Sequence, residues 1–286
     1  MPDTGADAPG RPPDREEAGG FALARPDGSE PNGKYIVPGL QRGLGVLALF
    51  GRDRRRLGLS EIARAMGMSR SAAFRLVYTL ESMGLLLRDT GDDRYELGPR
   101  VLDLGLSALA SMDVVEVAER PLRALRDATG GTIHLARRDG REVVYLLRFA
   151  APRAMTTHVE VGTRLPAHGT TLGRALLMDH DRAALEALYG SDAALPAYSP
   201  STARDLDDLA AQLADDRARG HVIGHSIYEE GLDTVAVPLR NAAGRIVAAI
   251  SAVGFGLLSK APSGREGLVR ALTETSDQIG ERVVRD

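Results

Sequence analysis

One stretch limits the fold more than any other: residues 57–84, LGLSEIARAMGMSRSAAFRLVYTLESMG. It reads as two short helices joined by a tight turn and closed by a glycine. Ser60 precedes an apolar-periodic run of Ile62, Ala63 and Met66, the place an N-cap takes. Gly67 ends that run, and Ser69 offers a second N-cap. Beyond it, Ala73, Leu76, Val77 and Leu80 keep the i, i+3, i+4, i+7 spacing of one buried stripe. The opposite face carries Arg70, Ser71, Phe74, Arg75, Tyr78 and Thr79. A helix buried on one side and presenting such groups on the other can enter a DNA major groove. Its N-terminal side chains then meet base edges and its amide end meets phosphates. An ordinary helical hairpin with a solvated face has the same pattern.

The next residues, LLLRDTGDDRYELG, tip the balance. Residues 85–88 and 94–97 are strand-like runs around a turn rich in Asp and Gly (Asp89, Gly91, Asp92, Asp93). Helix, turn, helix and β-hairpin in that order make a winged helix-turn-helix. Its first helix is expected over residues 37–50, with Leu40, Leu44 and Leu47 on one face. From 37 to 105 there are eleven arginines against eight acidic residues, a local excess of three in a chain of net charge −3. That excess lies where phosphates would be met. Arg52, Arg54, Arg55 and Arg56 fall in the loop after the first helix, where they suit either phosphate contact or plain solvation. Lysine occurs only at Lys34 and Lys260, so arginine is the general base of this chain and no single one is diagnostic.

Residues 1–34 hold six prolines and six glycines with few apolar groups, too little to offset ordering entropy, so a disordered extension is expected. Residues 98–112 read as a helix with Pro99 near its start, Leu102, Leu106 and Leu109 in one stripe, and Val101 and Leu104 beside it. A helix this apolar needs a partner, and a second copy of the chain suits an operator of two half-sites. Residues 113–286 alternate helix-like segments (116–128, 171–178, 205–219, 265–284) with strand-like ones (132–137, 142–149, 155–161, 234–239, 245–253). Turns fall at Asp139-Gly140 and at 241–244. This is an α+β domain with an antiparallel sheet, a form that holds a small ligand between sheet and covering helices.

Several classes fall away. At 286 residues the chain is long enough for two domains. Without cysteine there are no disulfides, thiolate metal sites or cysteine nucleophiles. The longest uncharged run, residues 246–259, has 14 residues, too few to span a bilayer, and no basic-then-apolar leader opens the chain. A cytoplasmic protein without membrane association is expected. HExxH, GxSxG, SxxK, GxGxxG and P-loop patterns are missing, so neither an enzyme nor a cofactor is implied. His134, His158, His168, His180, His221 and His225 read as satisfied structural histidines. The second function class in view is a small-molecule sensor that acts without specific DNA binding.

The segments SEIARAMGMSRSAAFRLVYTLESMG, RYELGPRVLDLG, VGTRLPAHGTTLGRALL and RARGHVIGHSIYEEGLDTVAVPLRNAAGRIVAAIS resemble, in that order, the IclR family of bacterial transcriptional regulators. The resemblance implies a winged helix-turn-helix at 35–97, a linker and dimerisation helix at 98–112, and a GAF-like effector-binding domain at 113–286. It implies double-stranded operator DNA as a partner and a homodimer or a dimer of dimers. By position it carries effector contacts to Leu165, Thr171, Leu172, Gly224, Leu232, Thr234, Ser251 and Val253. Arg153 or Arg164 would pair with the carboxylate of a small effector, and Thr171 and Leu172 lie at a helix start that favours an anion. DNA contacts are expected from Ser60, Ser69, Arg70, Ser71, Phe74, Arg75, Tyr78 and Thr79, with Arg94 on the wing. The chain is most similar to regulators of aromatic-acid catabolism in the protocatechuate and β-ketoadipate group. Where related proteins carry an acidic or amide-rich strand before the Gly-Leu step, this chain has Gly224, His225, Ser226 and Ile227.

Overall fold

The computed structural model describes residues 32–51, 54–151, 159–191, 193–225, 232–261 and 264–284. Most of the N-terminal extension, Arg153, His158 and residues 226–231 lie outside these. The chain forms two compact units that meet at Ser111/Met112.

In the first unit, α1 (Pro38–Ala48) starts with proline at its first turn, where the missing N–H costs nothing. Strand β1 (Leu57–Gly58) leads into α2 (Leu59–Ala65), a turn with Gly67 at φ +59°, and α3 (Arg70–Ser82). Strands β2 (Leu86–Arg88) and β3 (Arg94–Leu97) form the wing, and α4 (Arg100–Ala110) follows. The three strands pair antiparallel in the order β1-β3-β2. Their core is Val46, Phe50, Ile62, Ala73, Val77, Leu80, Leu86 and Tyr95. The buried stripe of α3 is the one its spacing predicts.

Two expectations fail here. Ser60 is not an N-cap: α2 begins two residues earlier than that cap requires, capped at Gly58, whose N–H donates to a Glu61 carboxylate oxygen at 2.7 Å. That bond holds the Glu61 carboxyl below its ordinary range. On α1 the core takes Val46 and Leu47, while Leu40 and Leu44 face solvent. On α4 no residue is buried, and Leu102, Leu104 and Leu106 are all exposed. Gly98 sits where a Cβ would lie 2.2 Å from the Gly84 carbonyl oxygen, so the chain leaves the wing by passing directly over the end of α3.

The second unit begins with α5 (Asp113–Thr129), ended by Gly130 in the left-handed region. Then come β4 (Thr132–Asp139), β5 (Glu142–Phe149), β6 (Arg164–Pro166), α6 (Thr171–Leu177), α7 (Arg182–Tyr189) and α8 (Leu206–Arg219). The chain continues through β7 (Val222–His225), β8 (Leu232–Arg240), β9 (Ile246–Phe255), α9 (Leu257–Lys260) and α10 (Gly264–Gly280). Among the described residues the strands form one antiparallel sheet, β6-β5-β4-β9-β8-β7. The strand expected over 155–161 lies mostly outside the described residues, and 159–161 are not extended pairs. Its place on the sheet edge is taken by β6, against β5.

Helices cover both faces, as expected of a GAF-like domain. Alternation along the strands sends Ile133, Leu135, Val235, Val237, Ile250 and Ala252 to the face covered by α5 and α10. Ala136, Val143, Tyr145, Val222, Ala236 and Ala249 go to the other face, under α6 and α8. A buried bidentate pair pins that cover: Arg174 on α6 donates to both carboxylate oxygens of the fully buried Asp216 on α8, at 2.7 Å each. Gly173 lets α6 press on the preceding turn, since a Cβ there would lie 2.0 Å from the Ala167 carbonyl oxygen.

Candidate functional site

On α3 the Ser69 hydroxyl accepts from Ala72 N–H at 3.2 Å, confirming that cap. The expected outer face is exposed along its length: Arg70, Ser71, Phe74, Arg75, Tyr78 and Thr79. Phe74 and Tyr78 are 48% and 60% exposed, unusual for large aromatic rings, and their centroids stand 6.0 Å apart. Neither Arg70 nor Arg75 makes an ion pair among the described residues. The Thr79 hydroxyl is turned back onto the Arg75 carbonyl at 2.8 Å, so it presents mainly its methyl group outward.

Other basic groups are committed inside the unit. Arg56 is held by Asp89 at 2.9 Å and Glu96 at 3.2 Å, and Arg88 pairs with Asp93 at 2.8 Å. Arg94, expected to reach outward from the wing, instead donates to the Arg56 carbonyl at 3.1 Å and pairs with Glu61 at 3.3 Å. It buttresses the wing against α2.

In the second unit, the effector positions carried by resemblance share one face of the sheet, with Leu165 and Gly224 on its opposite edge strands. Gly224, Thr234 and Val253 form one cross-strand row with Thr132. Ser251 stands in the next row, beside His134 and Ala236. All lie on the face beneath α6, which brings Thr171 and Leu172, while Leu165 on β6 and Leu172 join the same apolar cluster. Leu232 starts β8, opposite Phe255.

The cation does not match the expectation. Arg164 is spent on Asp139 at 2.5 Å and Glu142 at 2.6 Å. Arg153 lies outside the described residues. The helix-start argument also weakens: α6 has only seven residues, and its Gly173 N–H is taken by the Thr170 hydroxyl at 2.9 Å. What sequence reasoning missed is Arg148, whose Cα pairs with His134 on the neighbouring strand. His134 is 2% exposed with both ring nitrogens unpartnered, so it is not a satisfied structural histidine. Burial, with the Arg148 charge beside it, lowers its pKa to about 3 and keeps it neutral. The only signal in the sequence was a histidine and an arginine inside the apolar strand runs TIHLA and VVYLLRF.

Comparison with known proteins agrees with both units. The family model described as IclR helix-turn-helix domain matches residues 39–90, and the one described as bacterial transcriptional regulator IclR C-terminal matches 106–281. The HTH-type transcriptional regulator XynR of Escherichia coli is 31% identical over 216 residues, 76% of this chain and 85% of that protein. The p-hydroxybenzoate hydroxylase transcriptional activator of Acinetobacter baylyi is 33% identical, over 80% of this chain and 86% of its own. The crystal structure of an IclR homolog complexed with 4-hydroxybenzoate, from Microbacterium hydrocarbonoxydans, superposes with a TM-score of 0.73. It is 29% identical and covers 85% of this chain and 97% of that one. These relatives are regulators, and nothing in them favours an enzyme or a sensor that works without DNA. A winged helix with an uncommitted basic and aromatic face, a second domain built on a six-stranded antiparallel sheet and these matches lead to one conclusion: the chain belongs to the IclR family of bacterial helix-turn-helix transcriptional regulators.

Proposed function

We propose that this regulator reads its operator with the outer face of α3 in a two-fold dimer, and that a small aromatic acid bound in the second unit changes that binding. The observation that carries the first part is the contrast among arginines: Arg70 and Arg75 project uncommitted from α3, while Arg56, Arg88 and Arg94 are held by carboxylates. Ser69, Arg70, Ser71, Phe74, Arg75 and Tyr78 then meet bases and phosphates, and Ser60 and Thr79 flank them. Exposed Leu40 and Leu44 on α1 and Leu102, Leu104 and Leu106 on α4 suit burial against a second copy. A dimer of dimers follows the family pattern. The division into a tail at 1–34, a winged helix at 35–97, a linker helix at 98–112 and an effector domain at 113–286 is part of this reading, as is action in the cytoplasm, where the operator is.

An aromatic acid is supported by the relatives: one regulates p-hydroxybenzoate hydroxylase and another was crystallised with 4-hydroxybenzoate. The hydroxyls of Thr234 and Ser251, in adjacent rows of one sheet face, together with apolar Leu172 and Val253, suit such a ligand. The effector favours whichever conformation it binds more tightly, and so biases operator affinity.

The test is binding of the full chain to its own upstream intergenic DNA, with and without 4-hydroxybenzoate and protocatechuate. Specific binding altered by one acid is the expected result. Indifference to every acid would remove the aromatic-acid part alone. Arg70→Ala should cost roughly 1–3 kcal/mol of specific binding and relax sequence preference at one position. Unchanged operator affinity in that variant would sink the placement of α3 in the groove.

A further inference from the structure

The sheet face beneath α6 contains three polar groups that a stable core would not leave as they stand. Ser251 is fully buried and its hydroxyl has no partner among the described residues. His134 leaves both ring nitrogens unpartnered, and the buried Nε of Arg148 is likewise unmatched. Among the described residues Arg148 retains a distant ion pair, 3.9 Å to Glu160. Each such group is costly when left unpaired, and a cation more so. Buried groups without partners are rare, and here three of them are neighbours.

They also stand in line. In the register of the sheet Arg148 faces His134 and His134 faces Ser251, on adjacent strands β5, β4 and β9. With strands ~4.8 Å apart, the row spans roughly 10 Å of one sheet face. It continues into Ala236 and Val222, which are small or apolar. The row is therefore charged at one end, neutral and polar in the middle, and apolar at the other. Behind it, Tyr145 packs edge-on against the His134 ring at 5.2 Å and fixes the ring plane.

We infer that Arg148 and His134 are the carboxylate anchor of the effector site, with Ser251 taking a second polar group of the same ligand. This rests on the reading above that the second unit binds a small acid, and it adds which end of the row holds the charge. The guanidinium donates to the carboxylate through Nε–H, a charge-assisted bond in a dry site. His134 stays neutral there, so one ring nitrogen donates to the ligand and the other accepts. A protonated imidazole beside Arg148 would add a second charge that one carboxylate does not balance. A neutral molecule of the same shape leaves the guanidinium unpaired and is rejected.

The experiment is calorimetric titration of the full chain with benzoate, 4-hydroxybenzoate, their neutral amides, and the aliphatic acids pyruvate and glyoxylate, repeated on Arg148→Met and Arg148→Lys. Acids should bind and amides should not. Arg148→Met should weaken acid binding by roughly 10- to 100-fold, with Arg148→Lys recovering part of it. An aliphatic acid that binds in place of the aromatic ones, with the same dependence on Arg148, would remove the aromatic reading and keep the anchor. Equal affinity for acid and amide, acid binding undiminished in a folded Arg148→Met, or no acid bound by the wild-type chain would overturn the anchor. If both variants fail to fold, the comparison of acid with amide on the wild-type chain still decides.

Discussion

The two faces of the six-stranded sheet are made by the same strands and have opposite characters. Along β4, Ile133 and Leu135 enter a largely apolar layer beneath α5 and α10 whose buried polar groups are partnered, as Ser276 is to the Pro238 carbonyl, while His134 between them enters a layer with unmatched polar atoms. Along β9, Ile250 and Ala252 do the first and Ser251 the second. Because side chains alternate, one strand can serve stability on one side and ligand binding on the other. The α5 and α10 face is complete in itself. The α6 face keeps polar atoms of Ser251, His134 and Arg148 without a partner among the described residues.

The sharpest way to break this contrast is pH. His134 titrates near 3 in the folded chain against about 6.5 when unfolded, so its neutral burial favours folding fully above pH 6.5 and progressively less toward pH 3. The shift amounts to about 5 kcal/mol over that window. Between pH 7 and 4 the wild-type chain should lose roughly 3 kcal/mol more than His134→Phe in denaturant unfolding. Identical pH profiles for the two would show that the imidazole is not held neutral. Next in size, Ile250→Ala on the apolar face should cost about 2–5 kcal/mol and lower the melting temperature without touching ligand affinity. A change in acid binding there would mean the faces are not separable. Smallest, Ser251→Ala on the ligand face should shift stability by no more than about 1 kcal/mol, and toward greater stability, since it removes an unpaired buried hydroxyl. A loss comparable to that of Ile250→Ala would mean Ser251 has a structural role.

What could be read from sequence follows from how local each feature is. The α3 stripe and the Ser69 cap depend on residues within two turns, and both are as spaced. The α2 start moved because β1, only two residues long, exists through pairing with β3. No local periodicity shows that. On α1 the apolar pattern was visible but the buried side was not, since Val46 and Leu47 face the core by tertiary packing and Leu40 and Leu44 do not. The proposed effector face was pointed to by resemblance alone. Its charged end was not, because Arg148, His134 and Ser251 meet only through strand register, and Arg164 looked equally available until Asp139 and Glu142 claimed it.

Arg56, Arg88 and Arg94 have a further consequence for the thermodynamics of operator binding. Each phosphate that a side chain neutralises releases condensed counterions and steepens the dependence of log K on log salt by about 0.9. An arginine already balanced by a carboxylate releases none unless that pair breaks first. Among the described arginines between 37 and 105, at least these three are so balanced. A slope reckoned from composition would therefore run roughly 2.7 too steep per protomer. The wing's ion pairs stiffen the reader at the expense of non-specific grip, so that more of what holds this protein to DNA has to come from fit.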